Sequence, residues 1–407
     1  MPSLTTLRPP SHAPARIPGR LPVVVPVLAG GTFLMGTTEF MVAGLLPEMA
    51  DDLGVSVARA GLLITAFAVG MIVGSPTMAI LTLRMPRRLT LQLALVVFAL
   101  GHVVAAMSDS FTVILAARVL TALATGAFWS VGAVVATEAA GPAASSRALG
   151  VVIGGLTLAN VVGVPLGSFA GQLAGWRGPF WVLAVLPLAA AAVIGRFIPA
   201  ADAGQAPSIR REFTALRSAD LWLALAASAL IMGGVLATYT FISPLLTEHA
   251  HIPARLVPLV LIGFGAGALG GTITGGRLGD RRPLATTMTA AAATALVLLA
   301  LTVASGSAVA TVVLVALMGL TGFAVNPVVT ALAVRFGGEA PTLAAALSTS
   351  GFNVGVAAGS WGAGIALDSP LGPTGPALLG TAIAAATLIP LGVLAVRRTR
   401  TPTAPLS

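Results

Sequence analysis

The chain has 407 residues, 57% of them hydrophobic and only 9% charged, with a formal net charge of +9 and no cysteine. Soluble domains carry about 25% charged residues, so a water-facing globule is excluded, and the missing thiols exclude disulfides and thiolate metal sites. The fixed positive charge is all arginine and sits between apolar runs, which speaks for membrane topology and against a nucleic-acid partner.

Residues 1–21, rich in Pro, Arg and Ser, read as a cytoplasmic tail. The apolar run behind them is long enough to span a membrane and is expected to stay as a span rather than be cleaved as a leader. A bilayer core about 30 Å thick needs roughly 20 apolar residues in a helix. The runs predict spans over 22–46, 57–81, 89–107, 111–137, 147–171, 178–198, 219–243, 255–277, 284–304, 308–333, 341–367 and 373–396. The fold class is therefore all-α integral membrane, with twelve transmembrane helices. If the N-terminus is inside, only Arg59, Arg177 and Arg255 fall on the outside, and Arg118 falls within a span. That bias predicts a multi-pass protein with both termini cytoplasmic.

The polar stretch 199–218 divides the chain midway, which predicts a six-helix bundle over 22–198, a cytoplasmic linker, a second bundle over 219–396 and a cytoplasmic tail over 397–407. Two such halves point to a duplicated, pseudo-symmetric transporter fold. The halves share a basic hairpin after their second span. It reads Gly276-Arg-Leu-Gly-Asp280-Arg281-Arg282-Pro in the second half and Ala79-Ile-Leu-Thr-Leu83-Arg84-Met-Pro-Arg87-Arg88 in the first.

Glu39 is the one carboxylate well inside an apolar span. An ionisable group there costs roughly 2.5–3.5 kcal/mol on insertion scales, so Glu39 is expected to face a cavity or a partner and to load and release a proton. Arg118 in span four lies at a similar distance from the outer end of its span. It needs a counter-charge, and a direct or water-bridged pair with Glu39 is expected, as an alternative to a permanent structural ion pair. His102 in span three reads as a bonded structural residue more readily than as a proton relay. In span five, Gly163 and Gly167 read as packing devices between helices, and Pro165 as a weak point in the helical hydrogen-bond ladder. Together they suit a pliable helix at the interface of the halves. The Gly276, Asp280, Arg281 and Arg282 loop is expected to pin inner helix ends, with Asp280 capping one helix and Arg281 reaching the C-terminus of another. The substrate cavity is expected near the midplane, lined by Phe40, Asn160, Tyr239, Phe241, Asn326, Asn353 and Trp129. Trp129 is preferred to Phe128 because it is three turns from Arg118 on one face.

Three stretches resemble the twelve-span drug:proton antiporters of the major facilitator superfamily. They are the Gly276–Arg282 loop, the span-five run Gly155-Leu-Thr-Leu-Ala-Asn160-Val-Val-Gly163-Val-Pro165-Leu-Gly167-Ser-Phe-Ala-Gly171, and Gly175-Trp176-Arg177-Gly-Pro-Phe180-Trp181. The start of span one, Gly36-Thr-Thr-Glu39-Phe40-Met-Val-Ala-Gly44-Leu-Leu-Pro47, is similar to bacterial chloramphenicol-resistance and sugar-efflux exporters. Tyr239-Thr-Phe241-Ile-Ser-Pro244 fits the chloramphenicol group too. The first-half loop departs from the family pattern, with Ala79 and Leu83 where Gly and Asp stand, and Thr121-Ala122 replace Gln-Gly after Arg118.

The resemblance implies a monomer in the bacterial inner membrane that exports small amphipathic molecules, chloramphenicol-like drugs above all, in exchange for protons. No Lys-bearing phosphate-binding loop is present, so the drive is expected to be an ion gradient, with no cofactor, no metal and no enzyme activity. A sugar or metabolite exporter is the alternative, but its cavity should be richer in Gln, Asn and Asp. A membrane sensor should carry a soluble signalling domain, and none is seen.

Overall fold

A computed structural model describes residues 21–82, 85–141, 144–198, 217–338 and 341–400. The N-terminal tail to residue 20, Leu83 and Arg84, almost all of the predicted linker, and the last seven residues lie outside them. Among the described residues every regular element is helical. Eleven helices are long and apolar enough to cross a membrane. They are α1 Val24–Gly44, α2 Val57–Met78, α3 Arg87–Met107, α4 Phe111–Ala140, α5 Arg147–Ala174, α6 Arg177–Phe197, α7 Ala219–Thr240, α8 Ala254–Arg281, α9 Pro283–Ala304, α10 Ala308–Phe336 and α12 Gly372–Arg398. Between the last two runs α11, Pro341–Leu367, of 27 residues. It carries Ser348, Ser350, Asn353 and Ser360, and with it the helices fit twelve spans.

In lipid a spanning chain must satisfy its own backbone polar groups, which leaves the helix as the only choice for segments like these. Burial then sorts the helices into layers. The most apolar windows of α1 and α7 are 72% buried, whereas that of α9 is only 28% buried. So α1 and α7 are central, and the outer helices turn side chains such as Leu173, Val303 and Val309 outward.

Lipid is as apolar as leucine, so close packing rather than water exclusion must hold these helices together. Small residues every fourth position do this. A Cβ added to Gly267, Gly271 or Gly275 of α8 would lie 2.1 Å from the carbonyl oxygen of Ala316, Leu320 or Ala324 of α10, respectively. Gly155 of α5 likewise abuts the Ala29 carbonyl of α1, while Gly163 and Gly167 leave room for the side chains of Thr37 and Met41, and Gly171 for that of Leu45 just beyond α1. In the second half Gly355 and Gly359 of α11 approach the backbone of Ala229 and Gly233 of α7. Gly267→Ala should therefore lower stability by about 1–3 kcal/mol, the usual cost of overpacking. Gly263→Ala, whose new Cβ would sit 3.8 Å from that of Ala316, should leave it unchanged. Thermal unfolding in detergent compares the two.

The halves meet chiefly along α2 with α11 and α5 with α8. Towards the end bearing the α1–α2, α5–α6, α7–α8 and α11–α12 connections, Gln172 donates to the Ala254 carbonyl at 2.7 Å, and the Thr65 and Ser360 hydroxyls bond at 2.7 Å. The Phe241 ring also covers Gly61 of α2 and faces Gly364 of α11.

The same end of the first half is knotted by Arg177, which ion-pairs with Asp52 and, at 2.7 Å, with Asp109. The Trp176 indole N–H donates to Asp52 at 3.0 Å. Hydrogen bonds from Arg177 and then Trp176 hold the Asp52 carboxyl below its ordinary range. A depressed carboxyl adds stability above its unfolded value, near 3.9, and loses it as pH falls through the lower folded one. Arg177→Ala should thus cost up to about 1 kcal/mol at neutral pH, since the pair is solvent-screened. The gap to the parent protein should narrow as pH falls through the lowered folded value of Asp52, as read by melts over an acid pH series.

One expectation needs correction. The Gly276–Arg282 motif is not a loop: α8 runs unbroken to Arg281, and α9 starts at Pro283. Arg281 in the last turn suits the helix dipole, and Arg282 with Pro283 ends the run. Gly163 and Gly167 of α5 pack on α1, while α5 meets α8 of the other half through the backbone of Asn160 and Val161, which abuts Gly265.

Candidate functional site

The site grows from three neighbouring helices of the first half. α1 brings Thr38 and Glu39, α3 brings His102, and α4 brings Arg118. All four are buried, with Glu39 5% exposed and Arg118 and His102 1%. These are costly groups to place in a membrane interior. Every other Asp, Glu, His or Arg in α1 to α6 lies in a terminal turn.

Arg118 is held by backbone and hydroxyl oxygens. Its Nε donates to the Leu63 carbonyl at 3.2 Å, and its Nη1 donates to the Thr38 carbonyl at 3.1 Å and to the Thr38 hydroxyl at 3.0 Å. The guanidinium carbon stands 4.4 Å from the centre of the Phe67 ring, a cation–π contact. One residue separates these acceptors from Glu39, yet among the described residues Glu39 forms no ion pair and no hydrogen bond. Arg118 and Glu39 are therefore neighbours without a direct pair in this conformation, and Nη2 of Arg118 is buried with no partner. Arg118 ties α4 to α1 and α2, and a carboxylate is within reach should it let go.

The expected cavity residues fall into two groups. Phe40 and Tyr239 meet edge to face across the halves, ring centres 6.2 Å apart. Tyr239 stacks on Phe264 at 4.3 Å, and Phe264 meets Phe323 at 5.9 Å. Phe264 and Phe323 were not anticipated, being ordinary apolar residues in the sequence. Trp129 packs on Phe67, Met71 and Ala122, so it shares the α2-facing side of α4 with Arg118, and its indole N–H is buried without a partner. Asn353 in α11 is buried; its amide N–H donates to Thr349 at 3.0 Å while its oxygen is unpartnered. Asn160 and Asn326 are half-buried. Phe241 lies apart from these, against Gly61 of α2 and Gly364 of α11.

Of the gating residues, Gly163 closes a π-helical turn, Ala159–Gly163, and Pro165 follows directly in the next helical segment, Val164–Ala174. The extra residue of the π-turn absorbs the carbonyl that the proline ring would strike. Gly276 has open space beside it. Asp280, Arg281 and Arg282 are exposed, and among the described residues they form no ion pair. Where α3 begins and α4 ends, Arg87 pairs with Glu138 and joins the two helices.

The family model of the Major Facilitator Superfamily matches residues 28–360. The chain belongs to the Major Facilitator Superfamily, a family of membrane transporters. Among this transporter's relatives is the chloramphenicol resistance protein of Streptomyces lividans, 38% identical over 86% of this chain and 90% of that one. The inner membrane transport protein YdhP of Escherichia coli (strain K12) is 32% identical over 89% of this chain and 93% of its own length. In fold the transporter resembles the inward-facing, unoccupied crystal structure of a bacterial homologue of the human lysosomal transporter Spinster. That likeness has a TM-score of 0.68 at 15% identity and covers 93% of this chain and 96% of that one.

Proposed function

We propose that this transporter exports small amphipathic molecules, with chloramphenicol-like compounds as its substrates, in exchange for protons. The observation that carries the reading is Glu39: a carboxyl in the most buried helix of its half, unpaired, one residue from the oxygens that hold Arg118. A buried acid with no partner pays to be charged. It is stable when protonated, and stable as an anion once Arg118 turns to it or the site opens to water. Those two conditions are what an exchanger needs to tie proton loading to the direction in which its cavity opens. The name of the Streptomyces relative supports the substrate class, and so does the aromatic lining.

In this reading both termini are cytoplasmic, and the protein acts as a monomer in the bacterial inner membrane. The halves, residues 22–198 and 219–396, rock about the α2–α11 and α5–α8 contacts, joined by the 199–218 linker. Phe40, Trp129, Tyr239, Asn160, Asn326 and Asn353 line the substrate path. Trp129 supplies a free donor and Asn353 a free acceptor, while Phe241 closes the outer end. Gly163, Pro165 and Gly167 let α5 flex against α1. Gly276, Asp280, Arg281 and Arg282 engage the facing helices when the inner end shuts.

One proton moving through 100 mV yields about 2.3 kcal/mol, enough for about fifty-fold accumulation. The test is chloramphenicol flux in proteoliposomes under an imposed pH gradient. Uphill movement that stops when an ionophore collapses the gradient is the expected result. Flux indifferent to the gradient would refute the exchange.

A further inference from the structure

The buried histidine of α3 has no part in the exchange just described, yet its surroundings are specific. His102 Nδ1 lies 2.8 Å from the Phe98 carbonyl, and Nε2 lies 2.8 Å from the Thr38 hydroxyl. A carbonyl only accepts, so Nδ1 carries a proton. The Thr38 hydroxyl oxygen already accepts from Arg118 Nη1. Among the described residues the only acceptor near its own hydrogen is His102 Nε2. The direction of the chain follows: Arg118 donates to Thr38, Thr38 donates to His102, and His102 donates to Phe98. The Phe98 and Phe180 rings, centred 4.3 and 5.7 Å from the imidazole, hold it in that orientation.

We infer that His102 is a positioning residue for the coupling step: through the Thr38 hydroxyl it keeps Arg118 on α1 backbone oxygens and off the Glu39 carboxyl. While the hydroxyl hydrogen is committed to His102, the Thr38 oxygen presents its lone pairs to Arg118, and the guanidinium stays where it is. When α3 and α1 shift so that this bond breaks, the hydroxyl loses the acceptor that fixes its rotor, and its lone pairs are no longer held on Arg118. The nearest anion is then the side chain of the next residue, Glu39. Arg118 transfers there as Glu39 gives up its proton to water of the opened cavity. The inference rests on the proton-exchange reading and adds to it what releases the arginine.

The alternative is that His102 merely fills space between two phenylalanines. Proteoliposome experiments with chloramphenicol separate the two, because counterflow without a pH gradient needs the cavity and its motion but no net proton movement. His102→Leu keeps an apolar filler but removes the acceptor. It should slow gradient-driven efflux about fivefold, the worth of one neutral hydrogen bond, and slow counterflow far less. Thr38→Val should do the same, and the double variant should be no worse than either single one, since both break one link. His102→Gln, whose side-chain oxygen can accept from Thr38, should recover most of the driven rate. Equal losses in both assays, an undisturbed driven rate in His102→Leu, or a His102→Gln variant as slow as His102→Leu would each overturn the assignment. Glu39→Gln in the same vesicles keeps the two readings apart. Full driven efflux from that variant would remove proton exchange at Glu39 itself, whereas its loss alongside an undisturbed His102→Leu would remove only the role of His102.

Discussion

Glu39→Gln should abolish chloramphenicol accumulation driven by a pH gradient while leaving protein yield, fold and substrate binding intact. Glutamine has the shape of a protonated glutamate and cannot lose a proton. In most proteins that swap breaks a hydrogen bond or an ion pair. Here Glu39 has neither among the described residues, so little structural cost attaches to it and a loss of function can be read as a loss of titration. Gradient-driven efflux should fall from about fifty-fold accumulation per proton at 100 mV to none, and counterflow should persist. Binding measured by quenching of tryptophan fluorescence, together with the melting temperature, checks that the variant is folded. Undiminished driven efflux would take Glu39 out of the mechanism.

The spans could be read from sequence because each is a run near twenty apolar residues, and a bilayer leaves such a run no other structure. The run that forms α11 is legible in the same way, despite Ser348, Ser350, Asn353 and Ser360 within it. Glu39 stood out for the same reason as the spans: one acid in an apolar run is costly, so it signals a role. What the sequence did not disclose depends on helix rotation. Thr38 is an unremarkable hydroxyl until α4 places Arg118 beside it, and His102 is an isolated histidine until α1 and α3 face each other. The glycines of α5 announced close packing, but not that the partner was α1. The glycine stripe of α8 at Gly267, Gly271 and Gly275 could have been seen from its four-residue spacing, though its partner α10 could not. The Gly276–Arg282 motif is legible as a pattern, but its continuation of α8 to Arg281 is not, nor is the stop at Arg282, the residue that Pro283 pushes out of helical geometry.

Arg118→Ala should damage transport far more than Trp129→Ala, although the two residues lie on one side of α4. Removing the guanidinium deletes its bonds to Leu63 and Thr38 and its contact with Phe67. It leaves two carbonyls and a hydroxyl short of a donor, and Glu39 without its only nearby cation. Breaking a buried charged arrangement on one side costs roughly 3–5 kcal/mol, so driven efflux should fall more than about 100-fold and yield should drop as well. Arg118→Lys distinguishes charge from geometry. An ammonium is a point charge with no planar fork, and it cannot span the Leu63 and Thr38 oxygens in the same way. It should restore folding but only a small part of the driven rate. Trp129→Ala removes apolar area and one unsatisfied N–H, so its effect should fall on apparent substrate affinity, a few-fold, with the maximal driven rate largely kept. If the Arg118 and Trp129 variants proved equally mild, the link from α4 to α1 would be packing alone, and the carboxyl at Glu39 would have to discharge without an arginine to receive it.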